Sequence, residues 1–303
     1  MSAPTLFDEL FMRKLEQLSL AVRRIKRGRF KGERRSLRRG QAVEFADYRN
    51  YVQGDDLRAL DWNIYARLER PFIKLFEEEV DQTVHLLLDA SASMNWPLPA
   101  GLGQPLEQNK WYYGRRLVAA LGYIALSNSD RLYVAGLAAE GYTPWGPERR
   151  RQSIHRLLSF LAGYPAAGTA NLSSILSYYA QKAKRPGLLF LISDFLAPDD
   201  YQAGLSALQS QGHEVAVLHL LSPDEIEPAF SGDFQLQDVE TGLKRDLTIN
   251  AVMKKLYRQH FTAWQEGIQQ FCQRRNINYA LVSTKQPFEE LLLYYLRQRG
   301  FVR

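Results

Sequence analysis

From about residue 82 onward, short apolar runs alternate with longer stretches whose apolar positions recur every three or four residues. The runs predict buried strands over 82–89, 131–138, 187–193, 214–220 and 277–283. The longer stretches predict helices over 108–127, 149–163, 171–183, 200–211, 251–275 and 287–299. Residues 142–147 read as a short edge strand, because Pro144 and Pro147 cannot serve a central ladder. Such alternation predicts an α/β domain: a doubly wound, mainly parallel sheet with helices on both faces. Ligands of such sheets sit outside the carboxyl ends of the strands, where the strand order reverses. The polar stretch 222–250 interrupts the pattern. Phe234 to Val239, a turn at Thr241-Gly242 and Leu243 to Ile249 predict a hairpin insertion, with Asp224, Glu225, Glu227, Asp233, Asp238 and Glu240 as a solvated face.

Before residue 81 the pattern changes. Residues 5–25 read as one amphipathic helix, with Phe7, Phe11, Leu15, Leu18, Val22 and Ile25 on a stripe that docks on the protein's own core. Thr5 and Asp8 offer its capping start. A basic run, Arg23 to Arg39, follows. Residues 44–79 then interleave acids (Glu44, Asp47, Asp55, Asp56, Asp61) with Arg49, Arg58 and Arg67 and with aromatics such as Trp62. Each acid has an arginine nearby to pair with, so the segment reads as a strap held by ion pairs and pinned by its aromatics. The expected organisation is residues 1–80 as N-terminal helix, arm and strap, and residues 81–303 as the α/β domain.

Composition narrows the function. With 46% hydrophobic and 24% charged residues among 303, the chain has the make-up of a globular protein. Its apolar runs are far shorter than the roughly 20 residues a membrane helix needs, and no secretory leader is read at its start. The single Cys272, on a helical stripe with Ile268 and Phe271, reads as core filler and fits a reducing cytoplasm. The five histidines lack the spacing of zinc ligands. Residues 1–40 hold twelve Lys/Arg and four Asp/Glu, net +8, so the remaining chain carries 6 − 8 = −2. The basic character belongs to the arm. Binding of nucleic acid or an anionic membrane surface by that arm is a secondary expectation, and the expected location is the cytoplasm, free or peripheral to the membrane.

Candidate chemistry gathers where the first buried run stops. Val84-His85-Leu86-Leu87-Leu88 leads into Asp89-Ala90-Ser91-Ala92-Ser93, which places three oxygens at alternate positions after a strand. Hard divalent cations take oxygen ligands, and Mg²⁺ keeps several waters beside a few protein oxygens. Asp and Ser also cap ordinary turns, so this motif needs its companions: Gly168-Thr169 before a helical pattern, and a second buried strand ending at Asp194. In this order the three pieces resemble the von Willebrand factor A domain. That resemblance implies a metal-ion-dependent adhesion site of Asp89, Ser91, Ser93, Thr169 and Asp194 holding Mg²⁺ (or Mn²⁺). Trp96, close behind Ser93, is the candidate partner contact, while Trp111 suits a core position.

A second resemblance is more specific. Glu44-Phe45-x-Asp47-x-Arg49-x-Tyr51, Gly54-Asp55-Asp56-x-Arg58, Asp61-Trp62 and Ala66-Arg67 lead into Phe76-Glu77-Glu78-Glu79 and the Asp89 turn. The chain thereby resembles the domain-of-unknown-function family fifty-eight, von Willebrand A-like proteins commonly encoded beside a MoxR-type AAA+ ATPase. The resemblance implies a non-enzymatic adaptor or co-chaperone of such an ATPase, acting on a client protein and gripping an acidic partner residue through the metal. No Walker A lysine motif, nucleophile elbow or dinucleotide fingerprint is present, and no base stands ready beside the motif to activate a water. A Mg²⁺-dependent phosphoester hydrolase built on Asp55, Asp56 and Asp61 is the enzymatic alternative.

Overall fold

The computed structural model describes residues 9–20, 43–52, 60–78, 82–98, 105–138, 141–197, 201–229, 231–237 and 242–302. The chain divides into two compact units, Met1–Arg23 with Gln82–Arg303, and Arg24–Asp81.

In the smaller unit, β1 (Val43–Asn50) pairs antiparallel with β2 (Phe72–Glu78), with a register shift between Phe45 and Asp47. Helix α2 (Trp62–Leu68) lies between them in sequence. Asp61 caps α2: its Oδ1 accepts from the backbone N–H of Asn63 at 2.9 Å and of Ile64 at 3.3 Å. Trp62 is exposed and meets Tyr65 of the same helix edge-on. Arg67 is exposed in the last turn of α2. Glu44, Asp47 and Arg49 have their backbone in β1, while Asp55, Asp56, Arg58 and the basic run lie outside the described residues.

The larger unit is built on six strands. These are β3 (Thr83–Asp89), β4 (Arg131–Ala138), β5 (Gly141–Glu148), β6 (Leu188–Ser193), β7 (Glu214–Leu221) and β10 (Asn278–Ser283), in the order β10-β7-β6-β3-β4-β5. All neighbours are parallel except β5, the antiparallel edge strand that carries Pro144 and Pro147. Every residue of β3 and β6 is buried, as a strand covered on both faces requires.

Strand alternation divides the core in two. Leu86, Leu88, Phe190 and Ile192 join one apolar cluster with α1 (Glu9–Glu16), α3 (Lys110–Ser127) and α4 (Ile154–Gly163). Leu87, Leu189 and Leu191 join the other with α5 (Leu172–Lys182), α6 (Tyr201–Ser210) and the distal half of α8 (Ala251–Arg274), where Cys272 is buried. Gly187 lets the entry to β6 close on β3: a Cβ there would lie 2.1 Å from the Thr83 carbonyl oxygen.

Two expectations need correction, and the expected last helix is present with a π turn inside it. Among the described residues the first helix spans Glu9–Glu16 and stops there, short of the expected run to 25, because the chain beyond it is held by long-range bonds: Asn128 Nδ2 donates to the Leu18 carbonyl at 3.0 Å, and Leu20 bridges Val302. Its buried Phe11 and Leu15 place it in the core of the α/β unit rather than with the arm and strap. The insertion opens with a short helix, α7 (Pro223–Ile226), before its strands β8 (Gly232–Gln237) and β9 (Lys244–Ile249). The chain's last helix comprises α9 (Phe288–Glu290), a π turn over Leu291–Tyr295 and α10 (Leu296–Gln298).

Candidate functional site

The strand order reverses at β3. Its sequence successor β4 lies on one side and β6 on the other, so the ends of β3 and β6 flank the switch point. Asp89 ends β3 and Asp194 directly follows β6, and both are buried. Two loops are laced together around them. The Ala90 N–H donates to the Leu137 carbonyl at 2.8 Å, the Ala92 N–H to the Gly168 carbonyl at 2.8 Å, and the Ala167 N–H to the Ala90 carbonyl at 2.9 Å. Gly168, at φ +74, takes a conformation that L side chains rarely adopt. Its neighbour Thr169 is therefore carried to the Ser91–Ser93 turn, with its side chain exposed.

Within this frame the oxygens converge. Ser91 and Ser93 hydroxyls lie 2.9 Å apart. Asp89 Oδ1 accepts from the Ser91 N–H at 2.9 Å, and its Oδ2 from the Ser193 hydroxyl at 2.6 Å. Burial, then the charge of Asp194, push the Asp89 carboxyl up to about 6, against its bonds from Ser193 and Ser91. The next residue after Asp194, Phe195, sits at φ 54, a left-handed conformation that is strained for an aromatic residue. It is held there by edge contacts with Tyr201 and His219.

Asp194 does not face Asp89 unaccompanied. Lys110, the first residue of α3, is wholly buried, and its Nζ donates to Asp194 Oδ2 at 2.6 Å and to Glu225 Oε1 at 2.5 Å. Burial works against this ammonium, but the charges of Asp194 and Glu225 outweigh it and hold its pKa above the ordinary lysine value. Glu225, expected on a solvated face, is instead largely buried: its Oε2 accepts from the Ser222 N–H at 2.8 Å in a capping box that starts α7. The remaining Asp194 oxygen accepts from the Leu196 N–H at 3.0 Å, and its carbonyl is bonded to His219 Nε2 at 3.0 Å.

Asn109 pins the turn to α3. Its Oδ1 caps the helix through Tyr112 N at 2.8 Å, and its Nδ2 donates to Asn95 Oδ1 at 3.1 Å and the Pro97 carbonyl at 2.9 Å. Trp96 is half-buried and lines a cavity of about 400 Å³ with Ser93, while Trp111 is in the core as expected.

Lys110, Ser193, Glu225 and Asn109 are the residues that sequence reasoning missed. One signal was present: a lysine opening an apolar helix opposes the helix dipole, which favours cations at the other end. Among the described residues no group of three or more His, Cys, Asp or Glu side chains is placed to hold a metal ion. Any ion here would rest on two carboxylates and on hydroxyls. The donors are all oxygen, as Mg²⁺ and Mn²⁺ prefer, and the Ser91–Ser93 contact brings two of them to one point. Lys110 shares its single positive charge between Asp194 and Glu225, so with Asp89 ionised the cluster keeps net negative charge for a cation to offset. The set fits a divalent cation that keeps much of its own charge.

An uncharacterized protein of Mycobacterium tuberculosis, Rv1480, is 27% identical over 243 residues, covering 79% of this chain and 74% of that one. An uncharacterized protein of Mycobacterium avium, MAV169, is 32% identical over 103 residues, 34% of this chain and 60% of its own length. Among solved structures, the conserved hypothetical protein BatB of Bacteroides thetaiotaomicron matches 72% of this chain and 98% of its own at 13% identity, with a TM-score of 0.38. The model of a family described as protein of unknown function DUF58 matches residues 47–267, and the chain belongs to that family.

Proposed function

We propose that this protein is a non-enzymatic, metal-dependent interaction module with a von Willebrand A-like site. Asp89, Ser91 and Ser93, with Thr169 and Asp194 directly or through water, hold Mg²⁺ or Mn²⁺, and an open coordination position takes a carboxylate from a partner. The carrying observation is the convergence of the Ser91 and Ser93 hydroxyls beside Asp89 at the switch point of the sheet. In this reading the bound ion supplies an electrophilic anchor for that carboxylate. The chain's own residues shape the anchor: Ser193 fixes Asp89, and Lys110 offsets part of the charge of Asp194 and Glu225.

The partner that the family resemblance points to is a MoxR-type AAA+ ATPase, with this protein as its adaptor toward a client. The hydrolase alternative gains nothing from Asp61, whose Oδ1 is engaged as the cap of α2. Pull-down of a purified MoxR-type ATPase by the full chain, in Mg²⁺ and in chelator, tests the reading. Retention in Mg²⁺ that is lost in chelator and in Ser91→Ala/Ser93→Ala is expected. Retention indifferent to both would overturn the metal-mediated interface.

A further inference from the structure

The candidate site already has a cation of the chain's own beside it. Lys110 is wholly buried and is bonded to all three segments that meet at the site. Its backbone N–H donates to the Trp96 carbonyl at 2.9 Å, which fixes it to the turn that carries Ser91 and Ser93. Its Nζ donates to Asp194 Oδ2 at 2.6 Å, at the end of β6, and to Glu225 Oε1 at 2.5 Å, in α7 of the insertion. The other Asp194 oxygen accepts from the Leu196 N–H at 3.0 Å, so both oxygens of that carboxylate are engaged. Asp194 is near enough for its charge to act on Asp89, whose own oxygens are bonded to Ser91 and Ser193. One ammonium therefore stands in a group of three carboxylates.

We infer that Lys110 is a resident cation that competes with a divalent ion for Asp194, with Glu225 as its alternative partner, and so sets the affinity of the site for metal. This rests on the metal reading above and names the residues that regulate it. An ion on the Asp89, Ser91 and Ser93 oxygens draws on Asp194, directly or through water, and Lys110 already draws on the same carboxylate. Two cations on one buried carboxylate repel each other where water screens little. The ammonium has no route to solvent, because its side chain is enclosed and its backbone is bonded to Trp96. Glu225 gives it somewhere to go: as an ion claims Asp194, Lys110 shifts its bond toward Glu225. A carboxylate of the insertion thereby becomes a determinant of metal affinity without touching the metal.

The test uses the full chain with Mn²⁺ as the probe, its dissociation constant read by electron paramagnetic resonance and folding by circular dichroism. Lys110→Met should bind Mn²⁺ at least about tenfold more tightly than the parent, and Glu225→Gln at least about threefold more weakly. A purely structural role would move both variants toward weaker binding, so the opposite signs are the signature. Should Lys110→Met fail to fold, Lys110→Gln takes its place with the same expectation, since it keeps a polar group against Asp194 and Glu225 without the charge. Affinity unchanged or lowered in the folded lysine variant would overturn the competition while leaving the metal reading intact. Affinity unchanged or raised in Glu225→Gln would overturn the part given to Glu225. Mn²⁺ bound by the lysine variant and not by the parent would support the competition and overturn the metal reading of the parent chain. Mn²⁺ bound by none of them would overturn both.

Discussion

Lys110 is the residue on which the site's electrostatics turn. A wholly buried ammonium is tolerated because it is paired with two carboxylates, Asp194 and Glu225. Removing one member leaves the others uncompensated, at a cost of about 3–5 kcal/mol. Lys110→Met should therefore lower stability by about that much in chelator, read by urea denaturation, and added Mg²⁺ should restore part of the loss. A loss below 1 kcal/mol would mean that water already screens the cluster.

At the opposite end of β3, His85 is buried between Tyr133, Tyr179 and His213, with Nδ1 bonded to the Tyr179 hydroxyl at 2.8 Å and Nε2 to the Arg185 carbonyl at 3.0 Å. Burial, then His213, push it down from 6.5 to about 3. Below pH 6.5 the unfolded chain takes up a proton that the folded chain refuses. Stability from this group is complete above that pH and falls toward the acid side, at up to about 1.4 kcal/mol per pH unit. His85→Gln should flatten that limb of a pH–stability curve, and an unchanged slope would assign it to other groups.

At the scale of elements, much was legible because period and burial coincide. The all-apolar Leu188–Ile192 run, of strand length and preceded by Pro186-Gly187, reads as a strand covered on both faces, and the 3.6-residue stripe of 171–183 reads as a helix; both are present. What escaped was set by distant partners. Leu20 ends in a bridge to Val302, and Asn128 reaches back to Leu18; neither pairing leaves a local trace. The same holds within the site. Asp89, Ser91, Ser93 and Asp194 stand in recognisable local motifs, whereas Lys110 and Glu225 meet across 115 residues of chain and appear only once folded. Asn109 is a case in between, a cap visible as such whose second role, holding Asn95 and Pro97, is tertiary. Asn109→Ala should lose about 1–2 kcal/mol of stability. It should also speed amide hydrogen exchange in residues 91–97 more than in α4; equal exchange would reduce it to a plain cap.

For the whole molecule, the doubly wound sheet explains why the candidate site lies where it does. The five parallel strands present their carboxyl ends to one rim, β3 and β6 meet there at the reversal of strand order, and an insertion after β7 overhangs the same rim. Among the described residues no helix is long and apolar enough to cross a membrane. A ligand that binds this rim of the folded chain alone stabilises it by RT ln(1 + [L]/Kd), which grows with free ligand. Mn²⁺ titration followed by electron paramagnetic resonance, on the parent chain and on folded Ser91→Ala/Ser93→Ala, tests the central claim most directly. One ion bound per parent chain, displaced by Mg²⁺ and absent from the double variant, is the predicted result. No bound Mn²⁺ in the parent, or equal binding by the variant, would contradict it.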